Sequence, residues 1–228
     1  MAEHGRAIPS DQLVVACVLW MGRFNRRARN PYNPKWVKRL RSMVARNLSI
    51  PHRFVCLSNI DIPDVDVIRL KHNWPGWWSK IELFGPSIQA KRIISFDLDV
   101  LITGSLDELV LDPAPIKFMP PHHKIMGSQL RPQRGVVPMY QSSCMVWSPP
   151  TGREIYDKFN KFAMEHWLGD QDWIATVNPG WPTFDPKWFR KIRQCPEGPP
   201  PDVKIVLAMP IKNVEASLRW PWAKAIWQ

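Results

Sequence analysis

Two aspartates separated by a single leucine, Asp97-Leu98-Asp99, follow directly on the apolar run Arg92 to Phe96. A short run of that kind reads as a buried strand, and in open α/β sheets ligands gather beyond the carboxyl ends of the strands. Two carboxylates at this spacing share one divalent cation when the strand end bends. Hard oxygen donors of this sort suit manganese or magnesium, which in turn bridge phosphates. The same tripeptide also serves as a plain turn or a helix cap. A buried strand that ends in two acids needs a partner for both, which favours the cation.

The elements that would position this pair follow from the hydrophobic pattern. Residues 13–20 (LVVACVLW) form a continuous apolar, β-branched run, the pattern of a strand buried on both faces. Asn33-Pro34 supplies an N-cap and a first-turn proline. Trp36, Val37, Leu40, Met43, Val44 and Leu48 then recur at helical spacing, with Lys35, Lys38, Arg39, Arg41 and Arg46 on the opposite arc. Further strands are expected over 53–58, 65–70, 91–96, 116–119, 143–147 and 203–208. A short helix is expected over 79–84, opened by Gly76-Trp77-Trp78, with a helical turn near Ser105 and a longer helix over 153–167. The alternation of strand and helix over the first 100 residues indicates an α/β fold with a mostly parallel central sheet flanked by helices.

Composition bounds the rest. The 228 residues suit one domain, and 45 % hydrophobic with 22 % charged residues excludes wholesale disorder or a fibrous repeat. No apolar run approaches a bilayer span and the N-terminus has no secretory pattern, so the expected location is the cytoplasm. Cys17, Cys56, Cys144 and Cys195 are scattered without metal-ligand spacing and read as buried free thiols. Lysine and arginine outnumber aspartate and glutamate by 31 to 20, which favours a polyanionic partner or simply a solvated basic surface. Thirteen tryptophans offer stacking faces as well as core volume.

Six blocks in order carry a resemblance: VVACVLW, NPYNPKWVKRLRSMVARNLSIPHRFVCLSN, GWWSKIELF, RIISFDLDVLITGSLDEL, SSCMVWSP and GDQDWI. Together they resemble GT-A glycosyltransferases with a Rossmann-like nucleotide-sugar fold, close to short phage and bacterial enzymes related to the glycogenin-like group. The resemblance implies one domain, with residues 13–110 as the nucleotide-binding half and 111–228 as the acceptor-side half with its Pro/Trp-rich tail. It implies a nucleotide-sugar donor, a UDP-sugar first, and a hexosyl or pentosyl group moved to an acceptor hydroxyl. Val18, Leu19 and Trp20 match the strand end that holds the base, and Tyr32 an aromatic that covers it. Asp97, Leu98 and Asp99 match the donor-side segment whose two acids hold manganese or magnesium. Lys80 matches a basic residue near the phosphates or the sugar, and Ser142 and Ser143 a polar pair facing the donor sugar. Asp170 and Asp172 match acids near sugar and acceptor. The plainer readings are Trp20 as core, Lys80 paired with Glu82 or Asp99 at the surface, and Asp170 as a cap after Gly169.

The match breaks where the family often carries a third, histidine ligand. Met209 or a neighbour stands in that slot, and a thioether suits a hard cation poorly. His122, His123 or His166 would have to take its place, or the aspartates and the diphosphate hold the cation alone. The acceptor stays open between a glycan or small molecule and a polyanion such as hydroxymethylated phage DNA, in which case the setting would be the host cytoplasm. The polyanion reading draws on Arg23, Arg26, Arg27 and Arg29, the basic arc at 35–46, and Lys187, Arg190, Lys191 and Arg193 with Trp181 and Trp188. The loop 120–140, with Arg131 and Arg134, would then help to extrude a base. The alternative from another class is a non-catalytic basic nucleic-acid-binding protein on a decayed transferase scaffold.

Overall fold

The computed structural model describes residues 12–25, 28–29, 32–121, 124–125, 139–208 and 219–228. Arg26, Arg27, His122, His123, Arg131, Arg134 and Met209, and most of the loop 120–140, lie outside the described residues. Strand β1 (Leu13–Leu19) sits at the centre of a six-stranded sheet. Leu13, Val14, Val15, Ala16 and Cys17 are all fully buried, because both faces of this strand are covered. A short ribbon, β2 (Arg23–Asn25) with β3 (Ala28–Arg29), follows outside that sheet.

Helix α1 (Pro34–Asn47) starts where the sequence predicts, with the Asn33 side chain accepting from the Lys35 amide at 2.9 Å. It lays Val37, Leu40, Met43 and Val44 on one face of the sheet, against Leu13, Val15 and Cys17. Its basic arc is largely engaged within the molecule. Lys38 pairs with Asp64 at 3.1 Å, Arg41 donates to the Asp64 carbonyl, and Arg46 donates to the Ile226 carbonyl at 2.8 Å. The Arg39 guanidinium lies 5.7 Å from the centroid of the Trp227 ring.

Strands β4 (Arg53–Ser58) and β5 (Asp66–Arg69) extend the sheet on one side of β1, and β6 (Arg92–Phe96) pairs on the other, all parallel. A 3-10 helix (Gly76–Phe84) covers the second face, with Trp78, Ile81, Leu83 and Phe84 buried. It is held from behind by Glu82, whose buried carboxylate accepts the amides of Lys71, His72 and Asn73 at 2.5, 3.1 and 3.0 Å. Strand β7 (Val100–Ile102) leaves the main sheet, and α2 (Asp107–Val110) realises the turn expected near Ser105. Strand β8 (Ile116–Met119) closes the edge beside β9 (Gln141–Trp147), which runs antiparallel to β6. The order is therefore β5-β4-β1-β6-β9-β8, mostly parallel as the pattern predicts.

The helix expected over 153–167 is two helices, α3 (Arg153–Asp157) and α4 (Lys161–His166). Asn160 breaks it: its side chain accepts the Ala163 amide at 3.0 Å and starts a new helix. Helix α5 (Asp170–Val177) follows. A three-stranded sheet, β10 (Phe189–Lys191), β11 (Ile205–Leu207) and β7, packs under α1. Helix α6 (Pro221–Ile226) lies over it, tied down by the Trp222 indole on the Cys195 carbonyl at 3.0 Å. All four cysteines are buried free thiols, as expected. No helix among the described residues is long and apolar enough to cross a membrane.

Candidate functional site

The carboxyl end of β6 delivers Asp97 and Asp99. The antiparallel ladder with β9 continues past the strand end, where the Asp97 amide donates to the Ser143 carbonyl at 3.0 Å. That register sets Ser143 opposite Asp97, and the Ser143 hydroxyl donates to Asp97 Oδ2 at 2.7 Å. Ser142, next along β9, accepts from Lys80 Nζ at 2.9 Å.

Lys80 is the hub of the cluster. Its ammonium lies 2.7 Å from Asp97 Oδ1 and 3.2 Å from Asp170 Oδ2, with its side chain 16 % exposed and that of Asp170 only 5 %. The contact with Asp170 is an ion pair rather than a well-aligned hydrogen bond. Burial works against the charge on Lys80, but Asp170 and Asp97 outweigh it and hold the ammonium protonated well above its ordinary range. The partners are thus Asp97 and Asp170, not Glu82 or Asp99, and the pair is inside the protein rather than at its surface. Gly169 is the residue that caps α5, and Asp170 is its first helical residue, with its carboxylate turned to Lys80. The capping reading of Asp170 does not hold.

Asp99 is buried, and its carboxyl is pushed up to about 6, by burial first and by the neighbouring Asp97 charge second. Lys80 and a hydrogen bond from the Tyr32 hydroxyl partly oppose the rise. The Tyr32 phenol is itself pushed far above its usual range by burial and by the Asp99 and Asp97 charges, so it stays neutral and donates. Its ring packs edge-on to Trp36 at 5.1 Å, and Trp36 edge-on to Trp227 at 5.1 Å. Asp172 is half-buried one position beyond Gln171. Its carboxyl is raised by burial and by the Asp170 charge, and it makes no ion pair with Lys80.

The three residues matched to a base site stand at the carboxyl end of β1, beside β6. Leu19 is buried, with its carbonyl accepting from Ser58 Oγ at 2.6 Å, and Val18 and Trp20 are partly buried against the second core. Leu98 is core. His166 is exposed: its ring stacks on exposed Phe162 at 3.6 Å, and its Nδ1 lies 2.8 Å from the Phe162 carbonyl. No group of three metal-ligating side chains exists among the described residues.

Asp97 and Asp99 nevertheless fit a divalent cation. Asp97 presents Oδ1 to the Lys80 ammonium at 2.7 Å and Oδ2 to the Ser143 hydroxyl at 2.7 Å, and the buried carboxylate of Asp99 follows two residues on, so both are hard oxygen donors at one strand end. Magnesium and manganese commonly take one or two carboxylates and fill the remaining positions with phosphate oxygens and water.

The open α/β sheet that carries this cluster has the GT-A fold that the six sequence blocks resemble. Two solved structures place the chain in that fold. GlyE of Streptococcus pneumoniae TIGR4 superposes with a TM-score of 0.59 at 12 % identity, covering 95 % of this chain and 63 % of that one. The galactosyltransferase LgtC, solved with donor and acceptor sugar analogues, superposes with a TM-score of 0.55 at 10 % identity, covering 94 % and 96 %. No protein-family model and no curated protein matches the sequence itself.

From the sequence Glu82 is expected only as a surface partner of Lys80, and Trp77 only as part of the opening of the short helix. Side chains three apart on a 3-10 helix eclipse, so Trp77 shares an edge with Lys80. Glu82 shows one signal, a carboxylate set in the apolar run Ile81-Glu82-Leu83-Phe84.

Proposed function

We propose that the chain is a metal-assisted glycosyltransferase that moves a sugar from a nucleotide-sugar donor, a UDP-sugar in the first instance, to an acceptor hydroxyl. The observation that carries this reading is Lys80 drawn between Asp97, Asp170 and Ser142 from four separate segments, at the strand ends where a GT-A fold takes its donor. Asp97 and Asp99 would hold manganese or magnesium, which when bound neutralises charge on the diphosphate. Lys80 keeps one positive charge beside the leaving group, and Ser143 fixes the orientation of Asp97. Val18, Leu19, Trp20 and Tyr32 form the base side, and Ser142 with Ser143 the sugar side. Asp170 and Asp172 supply the negative charge that an electron-poor anomeric carbon requires.

Thermal unfolding of the protein against nucleoside diphosphates and nucleotide sugars, each with manganese, magnesium or a chelator, tests the donor site. A ligand present at 100 times its dissociation constant adds about 2.7 kcal/mol. The expected result is a shift for one nucleotide that needs the metal and is lost in Asp99→Asn. Absence of any nucleotide shift, with stabilisation by duplex DNA instead, overturns the reading in favour of a nucleic-acid-binding protein.

A further inference from the structure

The last backbone pair between β1 and β4 is Leu19 with Ser58, yet the two chains stay joined beyond it through side chains. The Ser58 hydroxyl donates to the Leu19 carbonyl at 2.6 Å and accepts the Ile60 amide at 3.2 Å. Asn59 then takes both backbone groups of Met21. Its Nδ2 donates to the Met21 carbonyl at 2.9 Å, and its Oδ1 accepts the Met21 amide at 2.8 Å. A primary amide offers a donor and an acceptor side by side, so it pairs with a residue of chain much as a neighbouring strand would. Asn59 thus guides β1 two residues past its own end.

Trp20 stands inside this clamp, between Leu19 and Met21, and its indole folds onto Gly22. A Cβ on Gly22 would collide with the Cη2 and Cζ2 carbons of that ring, so the ring lies there only because the residue is glycine. The clamp on one side and the bare α-carbon on the other leave the segment from Leu19 to Gly22 a single course out of the sheet. That course bears on the donor. Leu19 and Met21 turn polar backbone groups to β4. The Gln12 carbonyl accepts the Arg92 amide at 2.9 Å, and the alternation of a strand gives Val18 the same direction, toward β6, the strand that ends in Asp97 and Asp99. A segment fixed before its ligand arrives has little freedom left to lose on binding.

We infer that Asn59 is a positioning residue for the base side of the donor site: it sets the course of Leu19 to Gly22 and, together with Gly22, the placement of Trp20, without touching the nucleotide itself. The inference rests on the nucleotide-sugar reading and adds to it a side chain from the end of β4.

Inorganic pyrophosphate carries the phosphates of a nucleoside diphosphate and no base, so it separates a role at the base from a role in the fold. The test is calorimetric titration, with magnesium, of UDP, dTDP, GDP, ADP and pyrophosphate into the wild type and its variants. At least one nucleotide should bind the wild type more tightly than pyrophosphate does. Asn59→Ala and Gly22→Ala should each weaken that nucleotide about tenfold, the scale of one misplaced base contact, and leave pyrophosphate unchanged. Asn59→Asp keeps the acceptor for the Met21 amide and loses the donor, and should fall between wild type and Asn59→Ala; it also carries the test if Asn59→Ala does not fold. Ligand-free unfolding temperatures show which variants are folded at the titration temperature. Equal losses for nucleotide and pyrophosphate, or no loss for the nucleotide, overturn the inference and leave the transferase reading in place. Pyrophosphate bound by the wild type as tightly as every nucleotide also overturns it, since no base is then held. A wild type that binds none of these ligands overturns the transferase reading, and the role of Asn59 falls with it.

Discussion

Replacing Asp99 by asparagine should make the metal-free protein more stable while removing its proposed metal site. Asp99 is 5 % exposed, and its carboxyl is raised from 3.8 to about 6 by burial and by Asp97. Below pH 3.8 the group is protonated in both the folded and the unfolded chain, and it contributes no difference. Between that value and about 6 the folded state holds its proton while the unfolded state has lost it, so stability declines as pH rises through this window. Above it the folded protein carries a buried charge penalised by about 3 kcal/mol, the shift converted at about 1.4 kcal/mol per unit. Asparagine keeps an oxygen to accept from Tyr32 and has no charge to bury. Urea unfolding from pH 3.5 to 8 should therefore show the variant and the wild type converging at the acid end. At pH 8 the variant should lead by about 3 kcal/mol, on the order of 6–12 °C in unfolding temperature for a chain of this size. A variant less stable than wild type at pH 8, or a difference that does not change with pH, refutes the claim that Asp97 and burial strain this carboxylate.

Lys80→Met leaves Asp97 and Asp170 facing each other without a cation and should cost about 3–5 kcal/mol in denaturant unfolding. Adding Asp170→Asn should return part of that loss, a coupling that a double-mutant cycle reads directly. Ser143→Ala removes the donor that orients Asp97 and should weaken metal-dependent nucleotide binding about tenfold in calorimetry, with a hydrogen bond to a charged group worth about 1.5–3 kcal/mol. Glu82→Gln cannot accept three amides with one oxygen, and should lower stability by about 2 kcal/mol and speed amide exchange at Lys71, His72 and Asn73. Trp227→Ala removes the last ring of the Tyr32–Trp36–Trp227 stack and should cost about 3–5 kcal/mol, whereas Trp227→Phe should cost less.

Much of the sheet is readable from the chain because a buried parallel strand leaves an unambiguous mark. Leu13 to Leu19 has no polar residue to alternate with, and Asp97 ends its neighbour abruptly. The start of α1 is equally legible, since Asn33 and Pro34 act within two residues of themselves. What escapes is set by distant partners. Nothing near Asn160 distinguishes a helix continuing to Trp167 from one restarted by its side chain, because the apolar spacing runs on through both. The lysine of GWWSK stands two residues from Glu82, yet it pairs with acids 17 and 90 positions away, because Glu82 is consumed by the amides behind it. The basic arc of α1 reads as a solvated or ligand-binding face until Asp64 and the Ile226 carbonyl of α6 meet it.

The order in which the chain supplies Lys80 and its partners has a consequence for biosynthesis. Lys80 and Asp97 come early, but Ser142, Ser143 and Asp170 are added up to 90 residues later. Strand β9, which pairs with β6, also comes from this later portion. A ribosome-bound chain that has emerged only as far as α2 therefore holds an ammonium for a desolvated position without the carboxylate that best compensates it, and a β6 edge without its neighbour. The Lys80 cluster assembles only when the late segments arrive, so nascent intermediates expose an unpaired strand edge and depend on the remaining chain to cover it. Splitting the gene between α2 and β8 should yield two insoluble pieces rather than a nucleotide-binding half and an acceptor-binding half.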